Sequence, residues 1–356
     1  MQTIWVLGAT GKGGRAIASE LIGTTTADVV LAGRDHDRLA AAAASIGGRS
    51  RTLVAAGPTE LATRIAAEKP TVVVNTIGPF GETTGPLARA CLTAGSHYVD
   101  LANELPPVQE LLGLDTEARR AGVALVTGAG FGVLATEALV LELAGGRPAA
   151  ARATVAAMPT VDGLGSAVLA SVVDAVAYGG RRYRNGQLER TRLGADHAWI
   201  PVPDLPAIQA IAVPTGELEA ARRASGAADV LAFSSEVPSG RTVRAALPAL
   251  SALLSARPVH TGLQRLISRT KLTPPAKSGD VSWAYARLDW ADRTHREAWL
   301  RTGEGYSFTA KVAALTAMRL SDGHGSPGAA TPGALFGPDL ARDAGAQIIV
   351  SGSVAP

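Results

Sequence analysis

Gly8-Ala9-Thr10-Gly11-Lys12-Gly13-Gly14 follows the apolar run Ile4-Trp5-Val6-Leu7 and opens directly into a helical pattern carried by Ala16, Ile17 and Leu21. A glycine-rich bend between a strand and a helix is the mark of a dinucleotide site. Gly8 permits the tight turn, Gly11 lets backbone approach a pyrophosphate, and Gly14 lets the helix pack on the sheet. The free N–H groups at the helix start, on the positive end of its dipole, favour an anion. The spacing is G-x-x-G-x-x-G with an extra glycine, so the surrounding sequence has to decide.

The end of the next strand decides it. Val29-Val30-Leu31-Ala32 runs into Gly33-Arg34, about 20 residues past the last glycine, where an acidic side chain would hold the ribose 2′-OH of NAD. Arg34 stands there instead, and a guanidinium suits a 2′-phosphate through paired charge-assisted hydrogen bonds. The expected cofactor is therefore NADPH or NADP, with Asp35 next door pulling the other way.

A chain of 356 residues is long for one core, so two domains are expected. With 47% hydrophobic and 18% charged residues it reads as globular, and no apolar run is long enough to span a bilayer. The start is strand-like rather than a charged-then-apolar leader, which predicts a cytoplasmic protein without membrane insertion. The single cysteine, Cys91, excludes an internal disulfide and a cysteine-rich metal site; it lies in an apolar helix pattern and reads as buried filler. Net charge is +3, but the basic residues are scattered and only 4% of residues are aromatic, so no nucleic-acid surface is expected. The densest basic cluster, Arg181-Arg182-Tyr183-Arg184, reads as a solvated hairpin edge.

Beyond the first two strands, helices over 37–46, 59–68, 85–94 and 108–121 alternate with strands Thr52–Ala55, Val72–Asn75, Tyr98–Asp100 and Val123–Val126. Six strands so spaced predict an α/β fold, a Rossmann-type doubly wound parallel sheet over residues 1–128. Ligands of such sheets bind outside the carboxyl ends of the strands. The cofactor contacts expected are Gly8, Ala9, Thr10, Gly11, Lys12, Gly13, Gly14 and Arg34, with Asn75, Thr76, Gly78, Pro79 and Phe80 on the nicotinamide side.

Residues 129–320 read as a second, α+β domain with a mixed or antiparallel sheet. Helices are predicted over 136–144, 166–178, 243–256 and 306–320, and strands over 151–157 and 229–234. Val281, Trp283, Tyr285 and Arg287 alternate with small residues, and 296–302 supplies their partner strand. Asn185-Gly186 signals a type I′ hairpin, and Pro274 to Gly279 a polar, mobile loop. Residues 321–356 are expected to form a glycine-rich loop, Asp322 to Gly333, and short elements packing back on the first domain. The antiparallel sheet offers a surface for a homodimer.

Taken together, Gly8-Ala9-Thr10-Gly11, Leu31-Ala32-Gly33-Arg34-Asp35, Val74-Asn75-Thr76-Ile77-Gly78-Pro79-Phe80 and Ala94-Gly95-Ser96-His97-Tyr98-Val99-Asp100-Leu101 resemble the saccharopine dehydrogenase-like reductases, including the trans-acting enoyl reductases. Gly130-Phe131, Pro214-Thr215-Gly216-Glu217-Leu218 and Gly303-Glu304-Gly305-Tyr306 are weaker echoes of the family's second domain. The chain departs from the family with Ala56-Gly57-Pro58, where relatives often carry an aspartate near the adenine, and with Gly132-Val133-Leu134-Ala135 after Gly130-Phe131. The resemblance implies an NADPH-dependent oxidoreductase acting on a C=N or conjugated C=C bond of a small biosynthetic intermediate.

Such chemistry needs an acceptor held at the nicotinamide and a proton source. An iminium is cationic, so Asp100 or Glu104 is a candidate to stabilise it; an enone wants a donor at its oxygen, which Tyr98, Tyr178 or Lys311 can supply. His97 could relay a proton, yet strand alternation aims it away from Tyr98 and Asp100. The alternative is a regulatory protein that senses NADP(H) without catalysis, since neither an S-x-x-x-Y-x-x-x-K arrangement nor a metal site is present in the sequence.

Overall fold

Ile4 to Leu7 form the centre of a sheet because strands cover both of their edges, and all four are buried. The computed structural model describes residues 2–48, 50–160, 166–237, 240–269 and 281–351. Its elements begin with β1 (Thr3–Leu7), α1 (Lys12–Thr24), β2 (Asp28–Gly33), α2 (His36–Ile46), β3 (Ser50–Val54), α3 (Pro58–Glu68), β4 (Val72–Asn75) and α4 (Phe80–Ala94). There follow β5 (His97–Asp100), α5 (Leu105–Leu112), α6 (Asp115–Ala121), β6 (Ala124–Val126), α7 (Phe131–Ala144), β7 (Arg152–Met158), α8 (Ser166–Tyr178), β8 (Gly180–Arg184) and β9 (Gln187–Thr191). The chain continues with β10 (His197–Val202), β11 (Leu205–Ala212), α9 (Gly216–Ser225), β12 (Asp229–Ser234), α10 (Arg241–Leu254), α11 (Arg257–Arg269), β13 (Ser282–Asp289) and β14 (His295–Thr302). It closes with α12 (Gly305–Ser321), β15 (Gly328–Ala330), α13 (Pro332–Phe336), α14 (Asp339–Asp343) and β16 (Gln347–Val350).

The chain divides into two units. The first comprises the residues up to Ala102, Pro106–Gly130 and Tyr306–Phe336. Its seven strands run β15-β6-β5-β4-β1-β2-β3, all pairs parallel, and the first six follow the Rossmann order. The seventh strand comes from the stretch expected to be only a loop. Gly328, Ala329 and Ala330 pair with the open edge of β6, and a strand of three small residues leaves no alternation to detect. Helix α12, expected in the second domain, belongs almost wholly to the first unit, where Gln2 Nε2 donates to Ser321 O at 2.6 Å. The helix predicted over 108–121 is two helices, broken at Gly113-Leu114. Cys91 is fully buried in the core, and that burial pushes its thiol pKa up.

The second unit comprises Asn103–Leu105, Phe131–Gly305 and the chain from Gly337 onward. Its sheet runs β10-β11-β12-β7-β13-β14-β16, with β8 paired to β12 and β9. It is mixed, because β12 and β7 are parallel while the other pairs are antiparallel. Helix α7 begins at Phe131, five residues before the predicted start, since Phe131, Val133 and Leu134 are already buried. Strands β10 and β11 escape sequence reading because Pro201, Pro203 and Pro206 argue against a strand. Asn185 and Gly186 have φ of 50° and 76°, as a type I′ turn needs. The loop predicted over 274–279 lies outside the described residues. Among the described residues no helix is long and apolar enough to cross a membrane.

Candidate functional site

The glycine turn has the local geometry its sequence requires. Gly8 has φ of 80°, and a Cβ there would press on Thr76 Oγ1 at 2.7 Å. A Cβ at Gly14 would collide with the backbone of Gly8, reaching its carbonyl carbon at 2.8 Å, so α1 comes as close to the turn as backbone allows. No side chain caps α1 at Gly11, which leaves the polar helix start bare where an anionic group can lie. The turn is pinned from behind: Gly8 N and Ala9 N both donate to Ala32 O, at 2.9 and 3.1 Å. Ala9, expected to contact the cofactor, is thereby turned into the core with its N–H committed to the sheet.

At the end of β2 the two candidates for the ribose separate. Asp35 is the N-cap of α2, its carboxylate accepting from Arg38 N at 3.0 Å. Arg34 is exposed and has no ion pair among the described residues. Asp35 is occupied by its own helix, and the guanidinium is the group left over.

The loops after β4, β5 and β6 converge on a buried polar hub. Asp100 is wholly buried. Its Oδ1 accepts from Thr127 Oγ1 (2.8 Å), Ala102 N (3.1 Å) and Gly128 N (3.2 Å). Its Oδ2 accepts from Thr84 Oγ1 (2.9 Å) and Tyr98 OH (3.1 Å). Burial raises the Asp100 pKa, and the hydrogen bonds from Thr127, Ala102, Thr84 and Gly128 oppose the rise. Asn75 Nδ2 donates to Tyr98 OH at 3.0 Å and to Thr83 Oγ1 at 3.1 Å, while its Oδ1 accepts from Ile77 N. Tyr98, Asp100 and Asn75 were expected to meet substrate or cofactor, but each is 0% exposed and has its polar atoms committed within the unit. They act as the frame that holds the three loops. Burial, and then the charge of Asp100, raise the Tyr98 phenol well above its ordinary value, so it stays protonated.

Of the remaining nicotinamide-side candidates, Phe80 is also turned inward, against Ala102, Val108 and Leu112, and the Thr76 hydroxyl donates to Leu7 O at 2.8 Å. Gly78 and Pro79 stay half-buried. His97 points away from Asp100, as alternation required. Its Nδ1 accepts from Ala124 N at 3.0 Å, and burial lowers its pKa, so it is a neutral ring inside the sheet. Lys311 is exposed on α12.

Glu104 and Tyr178 belong to the second unit. The chain enters it directly from the end of β5: Asn103 O accepts from Gly216 N at 2.7 Å, and Glu104 bridges Thr215. Glu104 is 5% exposed, accepts from Ser171 Oγ at 2.5 Å, and has its pKa raised by burial. Glu217, at the start of α9, is 4% exposed, and burial, opposed by the Thr215 hydroxyl, raises its pKa to about 7. A side chain at Gly132 would collide with the Glu217 carboxylate and stand 3.0 Å from Asn103 Oδ1. Among the described residues Glu217 Oε2 and Asn103 Oδ1 have no hydrogen-bond partner, and no lysine or arginine pairs with Glu104 or Glu217. Buried carboxylates without a cation carry a desolvation cost that a cationic ligand would relieve. Sequence reasoning named Glu104 but missed Asn103 and Glu217, although Pro214-Thr215-Gly216-Glu217 stood out as a motif. Tyr178 lies under the Arg181 guanidinium, 4.1 Å from the ring centre.

Residues 4–126 match the family model for the saccharopine dehydrogenase NADP binding domain. Over these residues the chain is similar to that domain. Its cofactor is NADP(H), and the bare helix start, the close glycine backbone and the unpaired Arg34 fit that ligand. The trans-acting enoyl reductase of Mycobacterium leprae (strain TN) is 31% identical over 145 residues, covering 39% of this chain and 35% of the relative. The corresponding protein of Mycobacterium ulcerans (strain Agy99) is 33% identical over 133 residues, covering 36% and 32%. The chain thus spans about a third of the length of the curated relatives it matches. Among solved structures, apo saccharopine dehydrogenase (L-Glu forming) from Saccharomyces cerevisiae aligns over 99% of this chain and 100% of its own with a TM-score of 0.65 at 13% identity. The fold around the NADP-binding domain is therefore that of saccharopine dehydrogenase along the whole chain.

Proposed function

We propose that the protein is an NADPH-dependent reductase that delivers hydride to the C=N bond of a small, cationic biosynthetic intermediate. When bound, NADPH supplies the hydride. The Gly8–Gly14 turn and the uncapped start of α1 receive the pyrophosphate, Arg34 the 2′-phosphate, and Thr76, Gly78 and Pro79 border the nicotinamide. The observation that carries the choice of substrate is the two buried carboxylates, Glu104 and Glu217, with which no lysine or arginine pairs among the described residues. A protonated imine brings that missing positive charge, and reduction at carbon turns the C=N π pair into the nitrogen lone pair. The reaction therefore needs orientation and charge stabilisation rather than a dedicated acid. Glu217, with a pKa near neutrality, can also protonate a neutral imine beforehand. Tyr98 and Asp100 serve as positioning residues, and a homodimer in the cytoplasm is the expected setting.

The names of the mycobacterial relatives favour a second reading, reduction of a C=C bond. Following NADPH absorbance against a panel of cyclic imines and enoyl thioesters separates the cases. Oxidation with an imine, weakened in Glu217→Gln through a higher KM, supports the proposal. Oxidation with the thioesters alone replaces it by the second reading, and consumption with neither, despite tight NADPH binding, leaves a cofactor-sensing regulator.

A further inference from the structure

Arg181, the first residue of the basic cluster read from sequence as a solvated hairpin edge, borders a cavity. It has a volume of about 310 Å³ and is lined in part by Tyr178, Arg181, Arg190, Thr191, Arg192 and Ser251. All of its walls belong to the second unit, and none of the described lining residues is acidic.

Two adjacent rungs of the β8–β9 ladder show why these arginines are unusual. Arg182 lies opposite Glu189 and is 3.6 Å from both that carboxylate and Asp196, so its charge is matched. On the next rung, facing the other side of the ribbon, Arg181 lies directly opposite Arg190. Like charges in that position repel. Arg192, the residue after β9, lines the same cavity as Arg190. Arg181 is held in place by the Tyr178 ring and donates to Gly180 O at 2.8 Å. Arg190 and Arg192 are exposed and have no ion pair among the described residues. Three guanidiniums thus border one concavity without a counter-charge among the described residues, beside Ser251.

The geometry points to a binding site in this cavity for a phosphorylated small molecule, whose phosphoryl oxygens take the guanidinium forks of Arg190 and Arg192 and the hydroxyl of Ser251. Guanidinium pairs match phosphate oxygens bidentately, and the cavity has room for more than a single phosphate. The site uses no residue of the glycine turn and is independent of the reaction proposed above.

Inorganic pyrophosphate titrated calorimetrically into the protein, to which one equivalent of NADP⁺ has been added to occupy the first unit, tests it. One site is expected, weakened about tenfold or more in Arg190→Gln/Arg192→Gln and by rising salt. Orthophosphate should bind the same site more weakly, which distinguishes a diphosphate-bearing ligand from free phosphate. Both arginines are exposed, so the double variant should melt within a few degrees of the parent; if it does not, Arg192→Gln alone must still weaken binding. No heat of binding, binding unchanged in the variants, or equal competition by chloride at matched ionic strength overturns the proposal.

Discussion

The Lys12 ammonium lies 4.1 Å from the centre of the Tyr306 ring. A residue of the glycine turn is thus held by the first turn of α12, a helix that the chain delivers only after completing most of the second unit's sheet. A cation over an aromatic face contributes about 0.5–1 kcal/mol at a partly exposed site. Tyr306→Leu should lower the unfolding free energy by about 1 kcal/mol and raise the Kd for NADPH, whereas Tyr306→Phe, which keeps the ring, should change both far less. Thermal melts and cofactor titration check this, and equal effects of the two substitutions would show that the hydroxyl, not the ring, is what matters.

Arg34 and Asp35 make the next prediction because the structure gives them separate tasks. Arg34→Ala should weaken NADPH about tenfold or more, the loss expected for a charge-assisted pair, and leave NADH nearly unchanged. Asp35→Ala should cost about 1 kcal/mol of stability through the lost cap of α2 and leave the ratio of the two affinities alone. Equal loss of both cofactors in Arg34→Ala would remove that residue from the 2′-phosphate.

Asp100 accepts five hydrogen bonds and pairs with no cation among the described residues, so its removal should be a folding defect before it is a catalytic one. Asp100→Asn places an amide N–H₂ among donors, and a loss of about 2–4 kcal/mol is expected in denaturant unfolding. Tyr98→Phe removes one donor to that carboxylate and should cost about 1 kcal/mol while keeping most of kcat. A Tyr98→Phe protein that is stable but has lost kcat would return the phenol to the reacting atoms.

The contrast between Asp100 and Glu217 shows where sequence reading succeeds and where it stops. The parallel sheet and the glycine turn follow from local patterns: four apolar residues, a bend that only glycine fits, then helical spacing. The same local logic located Asp100 at the carboxyl end of β5, but whether a carboxylate faces a ligand or five internal donors depends on Thr84, Ala102, Thr127 and Gly128, which no spacing rule links. Glu217 is the reverse case. It reads as an ordinary acidic residue in the first turn of a helix, and becomes unusual only because Asn103 and the bare Gly132 close over it. Strand β15 escaped for a third reason: its edge partner β6, rather than its own side chains, makes it a strand.

Glu217 and Glu219, two residues apart on α9, should give the protein opposite responses to pH. Burial raises Glu217 to about 7 in the folded state, above the unfolded value of about 4.3. The folded protein then binds the extra proton, so its stability falls as pH rises from about 4 to 7 and is level beyond. At Glu219 burial also opposes ionisation, but hydrogen bonds from Arg222, Tyr183 and Arg223 outweigh it and bring the pKa down to about 2. Its contribution is complete above the unfolded pKa and is lost as pH falls toward 2. Each shift corresponds to roughly 3 kcal/mol, and for Glu219 about 2 kcal/mol is expected because its arginine partners are partly in water. Urea unfolding at a series of pH values should therefore show Glu217→Gln flattening the decline between pH 4 and 7, and Glu219→Gln flattening the decline below pH 4. If Glu217→Gln left the neutral limb unchanged, Glu217 would be ionised with an ordinary pKa, and the buried, cation-free carboxylate on which the imine reading depends would be lost with it.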